Sequence, residues 1–180
     1  LLSEISPSIE IYSIDEAFMD FKGIRNMKKH ATEARKIIKR STGIPISIGI
    51  AKTKTLAKVA NHIAKRHADS GVCRLGTKEQ ISNALRSLPV SDLWGVGARS
   101  SRMLDSYGVK SAYDFTRLNE KWVLKNMSIV GLRMHRELAG ENCFSINSHP
   151  GKKKSICTSR SFGSKMSDFD SIKQSVVSHA

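Results

Sequence analysis

Residues 12–18 read Tyr12-Ser-Ile-Asp-Glu-Ala-Phe18, and this stretch decides the fold because it joins two short apolar segments through an acidic bend. Residues 9–13 alternate between apolar and polar side chains, and residues 18–21 form a second short apolar run. Alternation with a period of two is typical of a β-strand. The stretch therefore predicts two strands with Asp15 and Glu16 near their junction.

The acidic pair at this bend is a candidate metal site. Adjacent side chains of a regular strand point to opposite faces of the sheet, so neighbours share a ligand only at a tight bend. Two carboxylates brought together there suit Mg²⁺, a hard cation that prefers oxygen ligands. Phosphoryl transfer uses such groups, because two ions about 3.5–4 Å apart activate the attacking oxygen and stabilise the leaving one. A solvated acidic turn would contain the same dipeptide, so the surrounding residues must decide between the two.

Downstream of the bend, helical and strand patterns alternate. Residues 28–40 predict an amphipathic helix that stops at Gly43, and residues 45–50 predict a third strand. A second helix follows, with apolar residues at i, i+3, i+4 and i+7 spacing. These residues are Leu56, Val59, Ala60 and Ile63. With a fourth strand predicted at residues 72–75, the order favours an α+β domain over residues 1–76, in which helices cover one face of an antiparallel sheet.

A lysine-rich turn, Lys52-Thr53-Lys54, precedes the second helix. The N-terminus of a helix offers free N–H groups and a positive dipole end, and nearby lysines add full charge. Lys54 is therefore a candidate for binding a triphosphate, although a solubilising turn would have a similar composition. The segment lacks the glycines of a P-loop, so a Walker-type NTPase is a poor match.

From residue 77 to residue 147 the strand patterns stop, and a small all-helical domain is predicted. Its helices are expected at 77–86, 98–106, 111–117, 120–127 and 130–139. Between the first two, the sequence Leu93-Trp-Gly-Val-Gly97 resembles a helix–hairpin–helix turn, whose backbone approaches a DNA phosphate closely. A plain turn is the alternative, and Trp94 is interpreted as an anchor of the core or of this turn. The candidate DNA-binding residues here are Gly95, Val96, Gly97, Arg99 and Arg102.

Residues 148–180 predict a basic linker followed by the beginning of a third domain. Residues 155–162 alternate as a strand does, and residues 168–180 begin a helix. The basic residues at the entry to this domain form either a strip that follows a DNA backbone or a solvated face. They are Lys152, Lys153, Lys154 and Arg160.

The whole chain is strongly basic, with 30 Lys and Arg against 16 Asp and Glu and a formal net charge of +14. A globular protein of this charge is expected to bind a polyanion, either nucleic acid or an anionic membrane surface. Because no apolar run approaches the roughly 18 residues that span a bilayer, nucleic acid is favoured and no membrane partner is expected. The three cysteines lie far apart without a CxxC pair, so a zinc site is not expected.

In order along the chain, these segments resemble the Y family of lesion-bypass DNA polymerases. The Ser-Ile-Asp-Glu motif at residues 13–16 is similar to the acidic hairpin of that family. Residues 49–60, Gly-Ile-Ala-Lys-Thr-Lys-Thr-Leu-Ala-Lys-Val-Ala, resemble its nucleotide-binding strand and helix, and residues 88–97 resemble the opening of its thumb. Ser159-Arg-Ser-Phe-Gly163 is similar to the start of the little finger in the UmuC (ImpB/MucB) branch, which includes the catalytic subunit of bacterial DNA polymerase V.

The resemblance implies a cytoplasmic bacterial enzyme of DNA repair and the SOS response, which copies past damaged bases with two Mg²⁺ ions. Asp15 and Glu16 would be metal ligands, and Lys54 would contact the incoming dNTP. Gly95 to Gly97 would hold the primer–template DNA as part of the thumb. The little-finger residues Ser159, Arg160 and Ser161 would lie along the template. A sliding clamp, a recombinase filament and an accessory protein subunit are the further partners that the resemblance implies.

One departure from the family pattern is that the chain begins after the strand with the third carboxylate, the fingers and the steric gate. We therefore expect an internal fragment, with a partial palm at 1–76, a thumb at 77–147 and a truncated little finger at 148–180, that does not polymerise alone. Two rival functions stay open. A nucleotide cyclase also places an acidic hairpin on an α+β sheet, although it does not need a thumb. A non-catalytic module that binds duplex DNA would use the positive charge equally well.

Overall fold

In the computed structural model of this protein, the acidic bend connects two antiparallel strands. A short helix, α1 (Leu2–Ile5), precedes β1 (Ile9–Ile11), which pairs with β2 (Ala17–Met19). The turn is closed by the backbone N–H groups of Tyr12 and Ser13, which donate to the Glu16 carbonyl over 2.9 and 3.1 Å. The predicted pair of strands with an acidic junction is therefore confirmed.

The structure describes residues 1–67, 70–148, 155–159 and 161–179. It divides into two compact units, Leu1–Ser148 and His149–Ala180. The first unit includes both the predicted palm and the predicted thumb, so the boundary between residues 76 and 77 stays a prediction. Among the described residues, no helix combines the length and the apolar composition that a membrane span requires.

The second strand pair of the first unit is parallel. β3 (Ile48–Ile50) pairs with β4 (Val72–Arg74), and α3 (Lys54–His67) connects them. A parallel pair needs such a crossover, because the chain must return to the same end of the sheet before the next strand begins. The α+β class is thus confirmed, while the predicted single antiparallel sheet is replaced by one antiparallel and one parallel pair among the described residues.

Two helices pack on opposite faces of the β3–β4 pair. α2 (Met27–Thr42) covers the face of Ile50 and Val72 with its buried Ala31. On the other face, Gly49 lies so near α3 that an added Cβ would stand 2.2 Å from backbone atoms of that helix. Helices on both faces differ from the prediction, which placed them on one face. The N-terminus of α3 follows directly after β3 and lies beside the acidic hairpin.

The helical part of the first unit follows the predicted pattern closely. It contains α4 (Lys78–Ser87), a 3₁₀ turn (Val90–Asp92), α5 (Ala98–Ser106), α6 (Ala112–Thr116) and α7 (Glu120–Leu138). Thr77 begins α4 and Ser111 begins α6, each through a capping box that satisfies first-turn N–H groups. The two helices predicted at 120–127 and 130–139 are the arms of α7, which bends at Ser128.

One hydrophobic core extends from α3 through all these helices. Leu56 and Val59 of α3 are buried together with Leu104, Phe115 and Leu138 of the helical part. Full burial of each such side chain contributes about 1.5–3 kcal/mol. The helix that carries Lys54 is therefore rigidly packed against the helical part of the unit.

The second unit contains α8 (Phe169–His179), whose first turn is capped by Asp168, which accepts from the Ser171 N–H over 2.9 Å. The strand predicted at 155–162 is absent from 155–159 and 161–162. A strand is stable only with a neighbour to pair with, and these described residues pair with none. Four predicted DNA-binding residues lie outside the described residues: Lys152, Lys153, Lys154 and Arg160.

Candidate active-site cleft and duplex-binding turn

Asp15 and Glu16 lie together in the turn between β1 and β2, where both line an open cleft of about 1340 Å³. Asp15 is exposed, and the Ser13 hydroxyl donates to its Oδ1 over 2.7 Å. This hydrogen bond holds the pKa of Asp15 below its ordinary value. Asp15 is thus ionised and accessible at neutral pH, as a carboxylate ligand of a cation must be.

Helix α3 presents a row of lysines to this cleft. Lys58 Nζ lies 2.5 Å from Glu16 Oε1, and Lys54 and Lys65 also line the cleft. Spacings of four and seven residues place the three on one helical face. Within the described ranges, no group of three or more His, Cys, Asp or Glu side chains is arranged to hold a metal ion. The hairpin therefore brings two carboxylates together, which is fewer ligands of these types than such a group would need.

Lys54 is held by an ion pair that the sequence did not predict. Its Nζ lies 2.5 Å from Glu10 Oε2 and 5.0 Å from the centre of the Phe18 ring, and its side chain is only 9% exposed. Glu10 also accepts from the Asn147 N–H over 2.5 Å. Burial would raise the pKa of Glu10, but these two hydrogen bonds and the lysine charge hold it below its ordinary value.

The N-terminus of α3 is already occupied by a carboxylate of this chain. Glu137 Oε2 accepts from the Thr55 N–H over 2.8 Å, and the Thr53 hydroxyl accepts from the Leu56 N–H over 3.3 Å. The prediction that free N–H groups here bind a triphosphate is therefore wrong for these two groups. The prediction that Lys54 contacts a dNTP is independent of them and stays a prediction.

The helix–hairpin–helix turn leads directly into α5. Gly95 has a φ of 91°, a left-handed conformation that favours glycine, and Gly97 precedes α5 without a side-chain cap. No heavy atom lies within 4 Å of a Cβ added at Gly97, so the backbone there is open to a ligand. Arg99 and Arg102 are both exposed on the following turns. Val96 instead anchors the turn, because its side chain is buried and its N–H donates to the Leu93 carbonyl.

Trp94 connects this turn to the acidic hairpin. Its ring makes edge-to-face contacts with Tyr12, Phe18 and Phe144 at centroid distances of 5.5, 6.0 and 6.0 Å. Such pairs contribute about 0.5–1.5 kcal/mol each beyond their buried area. The interpretation of Trp94 as an anchor is confirmed, and the anchor reaches the strand that carries the acidic turn.

The predicted site residues that the structure describes fall into three groups. Asp15, Glu16 and Lys54 line one cleft, and the turn at residues 95–97 is connected to it through Trp94. Ser159 and Ser161 are exposed residues of the second unit without regular structure. Their role along a template stays a prediction.

Four further residues of the cleft region were missed by the sequence analysis: Glu10, Lys58, Lys65 and Glu137. A helical wheel from Lys54 would have identified Lys58 and Lys65, because they share its face. Glu10 and Glu137 leave no comparable signal, since their partners lie 44 and 82 residues away along the chain.

Comparisons with known proteins show which proteins this chain is similar to. Residues 1–62 match the model of the impB/mucB/samB family. The protein UmuC of Salmonella typhimurium is 39% identical over 99% of this chain, and the protein MucB of Escherichia coli is 36% identical over 100% of it. In both cases the match covers 44% of the relative, so the chain spans less than half the length of these curated relatives.

Solved structures agree with the fold. A DinB family error-prone DNA polymerase from Sulfolobus solfataricus superposes with a TM-score of 0.63, covering 82% of this chain and 45% of that polymerase. At 22% sequence identity, this likeness supports the fold alone. It extends over most of the chain, including elements beyond the 62 residues of the family match.

Proposed function

We propose that this chain, whose residues 1–62 match the model of the impB/mucB/samB family and which is similar to UmuC, MucB and ImpB over nearly its whole length, supplies part of the palm and the thumb of a translesion DNA polymerase. The proposed reaction is template-directed DNA synthesis past damaged bases. The observation that carries the proposal is one cleft that combines the Asp15–Glu16 turn with the lysine face of α3.

The hairpin fits the proposed metal chemistry in part. Asp15 is ionised and open to solvent, whereas Glu16 becomes available to a cation only when its ion pair with Lys58 opens. Both would hold Mg²⁺, which supplies activation of the attacking oxygen and stabilisation of the leaving oxygen when it is bound. The family resemblance provides the expectation of two ions and of a third carboxylate ligand.

The lysines and the turn serve the charged substrates. We propose that Lys54 contacts the phosphates of the incoming dNTP, in exchange for Glu10. Lys58 neutralises Glu16 until a cation takes its place. The backbone at Gly97 and the Arg99 and Arg102 side chains hold phosphates of the primer–template duplex, a grip that is independent of base sequence, as a moving enzyme requires.

We also propose that the protein is located in the cytoplasm of a bacterium. Its partners would be a sliding clamp, a recombinase filament and an accessory protein subunit, as in the family that the chain resembles.

The first prediction concerns Asp15→Ala in the gene product that carries this chain. We expect primer extension with Mg²⁺ and dNTPs to slow by about a hundredfold or more, because a metal ligand contributes several kcal/mol to the transition state and 1.4 kcal/mol is a factor of ten. Duplex affinity should change less than about twofold. The measurement is single-turnover primer extension combined with fluorescence anisotropy of labelled DNA.

Glu33→Ala is the matched control, because Glu33 is an exposed α2 carboxylate paired only with Lys36 among the described residues. It should leave both quantities unchanged. An equal and small effect of both substitutions would favour a DNA-binding module without catalysis. Template-independent conversion of a nucleotide to a cyclic product would favour the cyclase. Primer extension by residues 1–180 alone would contradict the expectation that further segments are needed.

A further inference from the structure

We infer that Glu137 is a positioning residue: its buried carboxylate fixes the first turn of α3, and with it the lysines that face the acidic hairpin. Its role in a reaction rests on the polymerase function proposed above. Glu137 lies in the last turn of α7, in the helical part of the first unit, and is fully buried.

Both oxygens of the Glu137 carboxylate are saturated with hydrogen bonds. Oε2 accepts from the N–H and the hydroxyl of Thr55, both over 2.8 Å. Oε1 accepts from the N–H groups of Cys143 and Phe144 over 3.2 and 3.0 Å. Removing the carboxylate leaves the buried donors of Thr55 and the half-buried N–H groups of Cys143 and Phe144 without this acceptor.

A further hydrogen bond, to the backbone of Glu137, also connects α3 to α7. The Thr53 hydroxyl donates to the main-chain carbonyl of Glu137 over 2.9 Å. Thr53 and Thr55 are both buried, at 4% and 0% exposure. A negative charge at the N-terminus of a helix is also favourable, because it meets the positive end of the dipole. The first turn of α3 is thus fixed on the side that faces α7.

Fixing the two threonines determines where the lysines point. Lys54 lies between Thr53 and Thr55 in the sequence, and its side chain extends to Glu10. Lys58 follows one helical turn later and pairs with Glu16. Among the described residues, neither lysine forms a hydrogen bond or ion pair with Glu137, so Glu137 acts on them only through the orientation of α3. A displacement of about 1 Å at a reacting group can cost about a hundredfold in rate.

The experiment compares Glu137→Gln with Glu120→Gln in the gene product that carries this chain. Glutamine keeps the size of the side chain but replaces one acceptor oxygen with a donor, which opposes the N–H groups that Glu137 receives. Glu120 lies on the same helix, but it is exposed and pairs with Arg136. Single-nucleotide insertion gives KM for the dNTP and kcat, and the melting temperature is recorded for each variant.

We expect Glu137→Gln to raise KM for the dNTP about tenfold at temperatures where the protein stays folded, and Glu120→Gln to leave it unchanged. Should Glu137→Gln fail to fold, Thr55→Val and Thr55→Ser replace it, because only serine keeps the hydroxyl that donates to Oε2. Valine should then raise KM and serine restore it. A lowered melting temperature and kcat with KM unchanged would overturn the positioning role.

Amide hydrogen exchange separates this inference from the proposed function. In Glu137→Gln, the amides of Thr55, Cys143 and Phe144 should exchange faster, while the amides of α5 keep their protection. If the unaltered protein proved inactive as a polymerase, the proposed function would fail, and the exchange pattern would still decide the structural role of Glu137. Unchanged exchange at these three amides would overturn that role.

Discussion

At the scale of single residues, Gly49 sets the distance between β3 and α3. A Cβ added there would lie 2.2 Å from the Ala57 carbonyl oxygen and from the Asn61 backbone nitrogen. Both obstacles are backbone atoms, so no rotamer change can relieve the overlap. The absence of a side chain is what lets α3 pack so closely against the strand, with Lys54 beside the hairpin.

We therefore expect Gly49→Ala to lower the free energy of unfolding by about 1–3 kcal/mol or more, as overpacking in a core does. Gly97→Ala is the control, since its added Cβ would meet no atom within 4 Å and its φ is −83°. That variant should change stability by less than about 1 kcal/mol. Urea unfolding measures both, and equal losses would contradict the close approach.

A second residue-scale prediction concerns the acid stability of the Glu10–Lys54 pair. The pKa of Glu10 is lowered in the folded protein, so its contribution is present above the unfolded value of about 4.3 and is lost as the pH falls through the folded value. Glu10→Gln should therefore be less stable than the unaltered protein at pH 7, with the difference shrinking below pH 4. Urea unfolding across this range measures the difference, and a gap that is constant with pH would contradict the assignment.

At the scale of elements, α7 carries a strained bend between its two arms. Ser128 has φ 63° and ψ −175°, a region of backbone conformation that is essentially reserved for glycine. It is the one non-glycine residue with positive φ among the described residues. The bend lets the second arm return to α3, where Glu137 reaches the helix N-terminus.

Ser128→Gly should raise the melting temperature, because relief of about 1–3 kcal/mol of strain exceeds the added chain entropy of roughly 0.4–1 kcal/mol. Ser101→Gly is the matched control inside α5, where the backbone is helical and glycine should lower stability. Differential scanning calorimetry compares the two. A lower melting temperature for Ser128→Gly would show that the bend stores no strain.

Elements with a local signal were predictable from the sequence, and those defined by distant partners were not. The helix stop at Gly43 is confirmed by its φ of 74°, and the caps at Thr77 and Ser111 also depend on neighbours within a few residues. The parallel pairing of β3 and β4 was missed because strand periodicity carries no information on direction. The strand predicted at residues 155–162 has the period of a strand, but its described residues pair with no other described strand.

At the scale of the whole molecule, the net charge of +14 is distributed so that some cations are neutralised and others are exposed. Lys54 and Lys58 are paired with Glu10 and Glu16 in the cleft. Within the described part of the chain, Arg99 and Arg102 on α5 form no ion pair, so their charge is available to a phosphate backbone. The charged motifs of the candidate site could be identified along the sequence. Its ion pairs could not, because they join residues that only the fold brings together.

We expect Arg99→Ala and Arg102→Ala each to weaken duplex binding in all sequences and to reduce the slope of log affinity against log salt by about 0.9. Arg40→Ala, at the last turn of α2, removes the same charge away from the turn and should leave the slope nearly unchanged. Anisotropy titrations between low and moderate salt give the slopes. Equal slopes for the three variants would assign DNA binding to diffuse charge.

The carboxylate of Glu137 has a consequence for the order in which the protein is made. Thr55 leaves the ribosome 82 residues before its partner, an interval of roughly 4–16 seconds at 5–20 residues per second. During that time the Thr55 N–H lacks its buried carboxylate acceptor, although the close contact of α3 with the strand at Gly49 can already form. We therefore expect the hairpin and the β3–α3–β4 segment to form a loose nascent intermediate, which becomes native only when residues 137–144 have been synthesised.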